Sequence, residues 1–286
     1  MTDPLPPLRD VIARHDLAAK KSFGQHFLLD LNLTAKIASF AGDMSASHAI
    51  EIGPGPGGLT RAILGAGARH LTLVEKDARF LPALEEISDA YPGRVTVLEA
   101  DGLTIDESAV MNGEDRVILS NLPYNVGTVL LIKWLQAQPV WWRRAVLMFQ
   151  REVADRIVAQ VGDKAYGRLA ILTQSVCSAQ MVMKIPAQAF TPPPKVESAV
   201  VMLDPLPGKQ RFTDLQALGT VTASAFGQRR KTLRRSLAQA ASQTTASTEE
   251  LLSAAGLEPG ARAETIDIAG FQALASAWRA ARATHS

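Results

Sequence analysis

A glycine-rich turn that follows a short apolar run constrains the fold of this chain more than any other feature of its sequence. Residues 48–60 read His-Ala-Ile-Glu-Ile-Gly-Pro-Gly-Pro-Gly-Gly-Leu-Thr. A buried strand, a tight glycine turn and the start of a helix, in this order, are typical of the first half of a nucleotide-binding βαβ unit. The segment therefore predicts an α/β fold with a ligand at the carboxyl edge of a parallel sheet.

The residues of this turn favour one class of nucleotide ligand over another. The glycines at positions 53, 55 and 58 satisfy the dinucleotide spacing, which is weakly specific and leaves a nicotinamide or flavin cofactor open. However, Pro54 and Pro56 remove backbone N–H groups that a diphosphate needs. The carboxylate of Glu51, at the strand end, repels a diphosphate and suits a cation. S-adenosylmethionine carries a sulfonium and an ammonium group, so we predict that it is the ligand.

Carboxylates also follow the next two predicted strands. The run 70–74 ends at Glu75, where both cofactor classes place an acidic side chain that accepts hydrogen bonds from ribose hydroxyls. The run 94–98 leads to Asp101, which can accept from an adenine amino group, and Gly102 allows the chain to pass close to the ring. Each carboxylate taken singly could be a surface acid, but their succession at neighbouring strand ends predicts a cofactor site.

The tetrapeptide Asn-Leu-Pro-Tyr directly follows the apolar run 116–120. Pro123 fixes φ and removes one N–H, so the Leu122 carbonyl can point out of the turn. The Asn121 side chain and this carbonyl can then both accept hydrogen bonds from one exocyclic amino group while Tyr124 stacks on the attached ring. The tetrapeptide predicts a binding site for a planar amine, with an ordinary strand-to-loop turn as the alternative.

A second aromatic residue is a candidate partner for this ring. Phe190 lies in the loop 187–195, which contains three consecutive prolines and is therefore stiff and extended. We predict that Phe190 is presented as a fixed ring, and the family resemblance given below implies that a flipped or unpaired adenine is held between it and Tyr124. The alternative is that Phe190 is a buried anchor of the loop.

The apolar runs predict the organisation of the whole chain. Strand-like segments alternate with helical stretches, which indicates a mostly parallel sheet covered on both faces. The pattern after residue 206 becomes helical and rich in alanine. We predict a Rossmann-like seven-stranded sheet in residues 1–206, whose last two strands follow from the methyltransferase resemblance given below, and a small all-α domain in residues 207–286. The predicted strands lie near 47–52, 70–75, 95–99, 116–120, 144–150, 171–183 and 196–204.

The distribution of charge suggests a nucleic-acid partner, although the net charge of the chain is only +2. Residues 207–286 contain 10 Lys or Arg and 6 Asp or Glu, whereas residues 1–206 carry a small negative net charge. Five basic residues fall within seven positions, and a helix would gather most of them on one side. A solvated helix face is the alternative, but phosphate contact is favoured beside a base-binding site. These residues are Arg229, Arg230, Lys231, Arg234 and Arg235.

Other classes of protein are disfavoured by composition. The single cysteine, Cys177, lies in an apolar stretch and is interpreted as a buried thiol, so we expect no disulfide and no metal site. No apolar run reaches membrane length, and residues 1–7 do not resemble a signal peptide. The chain is predicted to be cytoplasmic, with no membrane partner.

Several of these motifs together resemble one enzyme family, the bacterial small-subunit ribosomal RNA adenine N6,N6-dimethyltransferases. Related branches that share the first four motifs are the macrolide-resistance methyltransferases of large-subunit ribosomal RNA and mitochondrial transcription factors. The resemblance is carried by residues 20–30, 51–60, 101–103, 121–125, 190–198 and 226–235.

The resemblance implies both the ligand and the reaction. It implies that S-adenosylmethionine donates methyl groups to the N6 atoms of two adjacent adenines in the 3′-terminal hairpin of small-subunit ribosomal RNA, late in assembly of a pre-30S particle. A monomer is expected. One departure is His26, where the family often has asparagine; an imidazole can still donate one hydrogen bond and accept another. The predicted cofactor residues combine those implied by the resemblance with those of the glycine turn. They are His26, Leu28, Glu51, Gly53, Gly55, Glu75, Asp101 and Asn121.

Two hypotheses from other classes stay open at this point. One is a non-catalytic assembly or transcription factor that keeps the fold and the RNA surface. The other is a methyltransferase for a free amine or a protein glutamine, which would have little use for the basic segment.

Overall fold

The computed structural model describes residues 4–17, 19 and 25–283; part of the motif at 20–30, residues 20–24, lies outside these ranges. The described chain contains a seven-stranded sheet and a separate two-stranded pair. The strands are β1 (Phe27–Leu28), β2 (His48–Ile52), β3 (His70–Glu75), β4 (Val95–Glu99), β5 (Arg116–Asn121), β6 (Arg144–Gln150), β7 (Cys177–Ile185), β8 (Phe190–Thr191) and β9 (Ser198–Pro205).

The large sheet has the strand order β4-β3-β2-β5-β6-β9-β7. Strands β2 to β6 pair in parallel, and β9 runs antiparallel to β6. Every residue of β2 is buried, as expected for a central parallel strand with both faces covered. The predicted Rossmann-like sheet of seven strands, followed by a helical C-terminal part, is confirmed.

Helices connect the strands and continue after the sheet. They are α1 (Leu8–Arg14), α2 (Leu31–Ser39), α3 (Gly58–Gly65), α4 (Leu81–Ala90), α5 (Glu107–Val110), α6 (Gly127–Gln136), α7 (Arg151–Val158), α8 (Arg168–Gln174), α9 (Leu215–Gly227), α10 (Leu233–Ser236), α11 (Ala238–Ala241), α12 (Thr248–Ala254) and α13 (Ile268–Ala283). None of the helices in the described ranges is long and apolar enough to cross a membrane.

One predicted strand is partly wrong. The sequence predicted a strand over 171–183, but α8 occupies the first part of that stretch and β7 starts only at Cys177. Helix α8 buries Leu169, Ala170 and Ile171, so the run is apolar on consecutive positions and its periodicity does not distinguish a helix from a strand. Cys177 itself is buried, as predicted.

The chain divides into two compact units. The first unit is Met1–Ala154 with Gln180–Pro205, and the second is Asp155–Ala179 with Leu206–Ser286. One of these divisions falls between residues 205 and 206, and the predicted boundary between 206 and 207 stays a prediction. In addition, the segment 155–179, which contains α8, belongs to the second unit. The sequence prediction had placed this segment in the first domain.

The carboxyl ends of β2, β3, β4 and β5 meet at one edge of the sheet. Their register aligns Ile52 with Val74 and Glu75 with Glu99. The short pair of β1 and β8 places Leu28 opposite Phe190. The predicted ligand residues are therefore brought to a common edge from distant parts of the sequence.

Candidate active site

A cavity of about 450 Å³ lies at this edge of the sheet, within the size range of cofactor sites. It is lined by the turn after β2, by the ends of β3 and β5, by the loop after β4 and by β1. Among the predicted residues, it contains His26, Leu28, Glu51, Gly53, Gly55 and Glu75. Its wall also includes Asp101, Asn121, Leu122 and Tyr124.

Three backbone N–H groups of the glycine turn already have acceptors within the protein. The N–H groups of Gly53, Gly55 and Gly57 donate within the protein at 2.9, 3.0 and 3.1 Å, and Pro54 and Pro56 have no N–H to offer. All three glycines have positive φ, a conformation that glycine adopts without strain. Because these three N–H groups already have partners, they are not available to a diphosphate.

Glu51 places a buried carboxyl group at the cavity. The residue is 1% exposed, and Thr60 Oγ1 donates to its Oε2 over 2.7 Å. Burial raises the pKa of Glu51 to about 8; the hydrogen bond from Thr60 opposes this shift, and the nearby Glu75 adds to it. A positively charged ligand would favour the ionised carboxylate, so this group suits a cation.

Glu75 connects the glycine turn to the end of β3. Its Oε2 accepts from the Gly55 N–H at 3.0 Å, and its Oε1 accepts from the Asp77 N–H at 2.8 Å. Burial raises the pKa of Glu75, and these N–H groups act in the opposite direction. The side chain therefore fixes two segments of the cavity wall and still has lone pairs for a ligand.

Asp101 lies in a more exposed position on the loop after β4. Lys76 Nζ donates to Asp101 Oδ2 over 2.8 Å, and the Leu103 N–H donates to Oδ1 over 2.9 Å. The hydrogen bond from Lys76 is the main reason that the pKa of Asp101 is lowered. Asp101 is thus a fixed carboxylate at the rim of the cavity.

Asn121, the last residue of β5, and Leu122, which follows it, both line the cavity. Asn121 Nδ2 donates to the His26 carbonyl over 3.1 Å, which turns Oδ1 away from that carbonyl. Within the part of the chain that the structure describes, neither Asn121 Oδ1 nor the Leu122 carbonyl has a hydrogen-bond partner. Both oxygens are therefore available as acceptors, and their binding of one amino group stays a prediction.

Tyr124 is held beside these acceptors, but Phe190 is not where the sequence predicted it. Tyr124 Oη and Ser198 Oγ are 2.6 Å apart. Phe190 is 2% exposed, belongs to the hydrophobic core and does not line the cavity, because its pairing with Leu28 directs the ring inward. The prediction of an exposed Phe190 ring is therefore wrong for this structure. Instead, the His26 ring lies 5.5 Å from the Tyr124 ring and edge-on to Phe190 at 6.4 Å.

Comparison with known proteins identifies the family. The family model described as "Ribosomal RNA adenine dimethylase" matches residues 17–274. The chain belongs to this family. It is therefore an S-adenosylmethionine-dependent adenine dimethyltransferase of ribosomal RNA.

Individual dimethylase relatives are similar over almost their whole length. A protein of Maricaulis maris named "Ribosomal RNA small subunit methyltransferase A" is 72% identical over 280 residues, covering 98% of this chain and 97% of the relative. A protein of the same name from Paracoccus denitrificans is 56% identical over 281 residues, with 98% of each chain covered.

Two solved methyltransferase structures have a similar fold. A dimethyladenosine transferase from Plasmodium falciparum has a TM-score of 0.76 and 25% identity, covering 87% of this chain and 96% of that chain. The 23S rRNA methyltransferase ErmE has a TM-score of 0.66 and 25% identity, covering 88% of this chain and 99% of that chain.

The cavity of this dimethylase fits the methyl donor of its family. S-adenosylmethionine is a cation without a diphosphate. The cavity has a buried carboxyl group at Glu51, and the N–H groups of Gly53, Gly55 and Gly57 beside it already donate to other protein groups. The volume of about 450 Å³ is adequate for a nucleoside with an amino-acid arm. Glu51, Glu75 and Asp101 supply acceptors along its length.

The raised pKa of Glu51 predicts that donor binding releases a proton. Below about pH 8 the ligand-free dimethylase holds a proton on Glu51, and a cationic donor stabilises the ionised form. Affinity for S-adenosylmethionine should therefore rise with pH, by at most roughly tenfold per unit between about pH 6 and 7.5. Titration calorimetry in buffers with different ionisation enthalpies measures both the affinity and the released proton.

The variant Glu51→Gln is the control for this effect. It cannot ionise, so its affinity should be weaker near pH 7.5 and flat over the same range. The donor's own amino group titrates near pH 8, and the comparison is therefore restricted to lower pH. A wild-type affinity that does not change with pH contradicts the prediction.

Sequence reasoning missed several polar residues of the dimethylase cavity. Gln25 Nε2 donates to Asp77 Oδ2 over 3.1 Å, and Arg79 donates to both oxygens of Asp77. Hydrogen bonding from Arg79 lowers the pKa of Asp77 to about 2. An acidic residue two positions after Glu75 was the available signal. This network ties the segment before β1 to the segment after β3.

The basic segment of the dimethylase is exposed, but it is not one helix. Residues 228–230 form turns between α9 and α10, and only Arg234 and Arg235 are helical. Thr232 instead forms a β-bridge with Arg262 and has extended backbone dihedrals, so it cannot belong to a helix that runs through the segment. The prediction that a single helix gathers these residues is wrong. All five basic residues are nevertheless exposed.

Proposed function

We propose that this dimethylase methylates N6 of two adjacent adenines in the 3′-terminal hairpin of small-subunit ribosomal RNA within an assembling small subunit. The observation that carries the proposal is the pair of acceptors at Asn121 and Leu122 beside the Tyr124 ring. The choice of the small subunit is supported by the name of the relatives with 72% and 56% identity. We also infer that it acts as a monomer in the cytoplasm.

The proposed reaction depends on positioning by the chain. Bound S-adenosylmethionine supplies an electrophilic methyl group on a sulfonium. Asn121 Oδ1 and the Leu122 carbonyl accept hydrogen bonds from the two N–H groups of the adenine's exocyclic amino group. These hydrogen bonds draw the nitrogen lone pair out of conjugation with the ring. Tyr124, fixed by Ser198, stacks on the base. Well-oriented reactants can gain on the order of 7–11 kcal/mol relative to free ones.

The same arrangement accommodates the second methylation. The monomethyl amine keeps one N–H, so one of the two acceptors is sufficient to orient it. The proton that leaves the nitrogen becomes acidic as the new N–C bond forms, and water can take it. A histidine or lysine base is therefore not required.

The test uses labelled S-adenosylmethionine with small subunits that lack these methyl groups. Nucleoside analysis should give N6,N6-dimethyladenosine at both adenines, and already methylated subunits should incorporate no label. Large subunits are incubated in parallel, because ErmE is named as a 23S rRNA methyltransferase. Label in the large subunit, or binding to small subunits without methylation, would contradict the proposal.

We propose that the second unit contacts RNA phosphates through part of the basic segment. Arg229 pairs with Glu264 at 3.1 Å, and Arg234 pairs with Glu249 at 2.5 Å. Among the residues that the structure describes, the remaining three basic side chains have no ion-pair partner. They are Arg230, Lys231 and Arg235.

Neutralising these three residues should weaken RNA binding and reduce its dependence on salt. Each lost phosphate contact lowers the slope of log affinity against log salt by about 0.7–0.9, so glutamine at Arg230, Lys231 and Arg235 should reduce it by roughly 2. Filter binding of the RNA hairpin over a salt series gives the slope. Donor affinity should be unchanged.

A matched control removes three exposed charges elsewhere, at Lys36, Lys184 and Lys209. It should leave the slope nearly unchanged. Equal slopes for wild type and the first triple variant would exclude this segment as the phosphate contact. Flat salt dependence of the wild type would instead favour a small-molecule or protein substrate.

A further inference from the structure

Lys133 makes three hydrogen bonds to a single loop of the cavity wall. From α6, its Nζ donates to the carbonyls of Gly102 and Ile105 at 2.9 and 2.5 Å and to the Glu107 carboxylate at 2.9 Å. An ammonium group has three N–H donors, so all of them are used. The Lys133 side chain is 29% exposed and that of Glu107 only 3%.

Glu107 is held from a second direction. Trp134, the neighbour of Lys133 on α6, donates its Nε1–H to Glu107 Oε1 over 2.8 Å. Trp134 is 1% exposed, so it is fixed in the core. The buried carboxylate therefore connects two consecutive side chains of α6 to the start of α5, and charge-assisted hydrogen bonds of this kind are stronger than neutral ones.

The other end of the loop, at Gly102, lies close against Ile52 of β2. A Cβ at Gly102 would lie 2.5 Å from Cγ2 of Ile52, so only glycine fits this approach. Leu130, also on α6, would be 3.6 Å away. The loop 101–107 is thus held between β2 and α6 at the place where Asp101, Gly102 and Leu103 line the cavity.

We propose that Lys133 is a positioning residue for the methyl donor: it fixes the loop 101–107 against α6, so that the wall facing the donor's adenine is formed before the donor binds. The inference rests on the proposed assignment of Asp101 to that adenine. Helix α6 begins three residues after Tyr124, so the same helix connects the donor site to the acceptor site. Ordering the loop in advance removes an entropy cost from donor binding.

The test replaces Lys133 with methionine, which keeps the apolar stem and removes the ammonium group. Without donor, amide hydrogen exchange at residues 103–105 should be faster than in wild type. Titration calorimetry should show affinity for S-adenosylhomocysteine reduced by about tenfold, as expected when loop ordering is added to the cost of binding. RNA affinity should stay within about twofold, because the proposed phosphate contacts lie on Arg230, Lys231 and Arg235 and not on this loop.

Kinetics separate positioning from a general loss of structure. At saturating donor the kcat of Lys133→Met should be close to that of wild type, whereas KM for the donor rises about tenfold. Partial unfolding would lower kcat instead and leave KM unchanged. Lys36→Met, at an exposed lysine on α2, is the matched control and should behave like wild type.

A milder variant keeps the inference testable if Lys133→Met does not fold. Glu107→Gln retains an acceptor without charge, and it should accelerate exchange in the loop and raise KM for the donor by a smaller factor. Unchanged exchange and unchanged donor affinity in the folded variants would overturn the inference. This result is distinct from failure of the proposed function, in which wild type binds donor normally but forms no dimethyladenosine in small-subunit RNA.

Discussion

Replacing Asn121 with alanine is expected to lower kcat for methyl transfer by about 10²–10³, the magnitude seen when one preorganised polar group is removed from an active site. The variant loses the side-chain acceptor for the adenine amino group and the donor to the His26 carbonyl. Single-turnover methylation of small subunits measures the chemical step directly. Donor affinity should fall by a smaller factor than kcat.

Two further variants sharpen this prediction. Asn121→Asp keeps the shape but places a carboxylate oxygen against the His26 carbonyl, so it should also be slow. Asn32→Ala removes an exposed asparagine side chain on α2 and should leave kcat unchanged. If Asn121→Ala retained nearly the wild-type kcat, the acceptor pair would not be the element that orients the nitrogen.

Replacing Glu75 with alanine is expected to weaken donor binding by at least about 100-fold, since the predicted acceptor for the donor's ribose hydroxyls is lost and two N–H groups are left without a partner in a buried site. The affected donors are the N–H groups of Gly55 and Asp77. Calorimetry with S-adenosylhomocysteine measures the loss, and methyl transfer should be undetectable at ordinary donor concentration. RNA affinity should be retained.

This variant also separates an enzyme from a non-catalytic assembly factor. A factor that only binds RNA would keep its full effect on subunit maturation after Glu75→Ala, whereas a methyltransferase would leave the two adenines unmodified. Glu85→Ala on α4, an exposed carboxylate, is the control for general effects of charge. Donor affinity of Glu75→Ala within a few-fold of wild type would contradict the assigned role.

The features that could be predicted from the sequence are those with a local physical cause. The prolines and glycines of the turn at 53–58 determine its backbone and its N–H groups. Carboxylates at Glu51, Glu75 and Asp101 directly follow apolar runs, and parallel strands bring such ends to one edge. The place of the cavity at this edge therefore followed from the sequence, whereas Gln25, Asp77 and Arg79 in its wall did not.

The features that could not be predicted depend on contacts between distant segments. The burial of Phe190 follows from its pairing with Leu28, which no local pattern reports. The bridge from Thr232 to Arg262 likewise breaks a run that would otherwise favour one helix. Lys133 is an ordinary surface lysine in the sequence, and only the folded loop 101–107 gives its ammonium group three acceptors.

The small pair of β1 and β8 has a consequence for the timing of synthesis. The His26 side chain donates from Nδ1 to the carbonyl of Pro192, which lies 166 positions later in the chain, over 2.7 Å. Strand β8, which pairs with β1 beside the cavity, is synthesised after the glycine turn and after the Asn-Leu-Pro-Tyr segment. The nascent enzyme can therefore complete its catalytic pocket only after most of its own translation is finished.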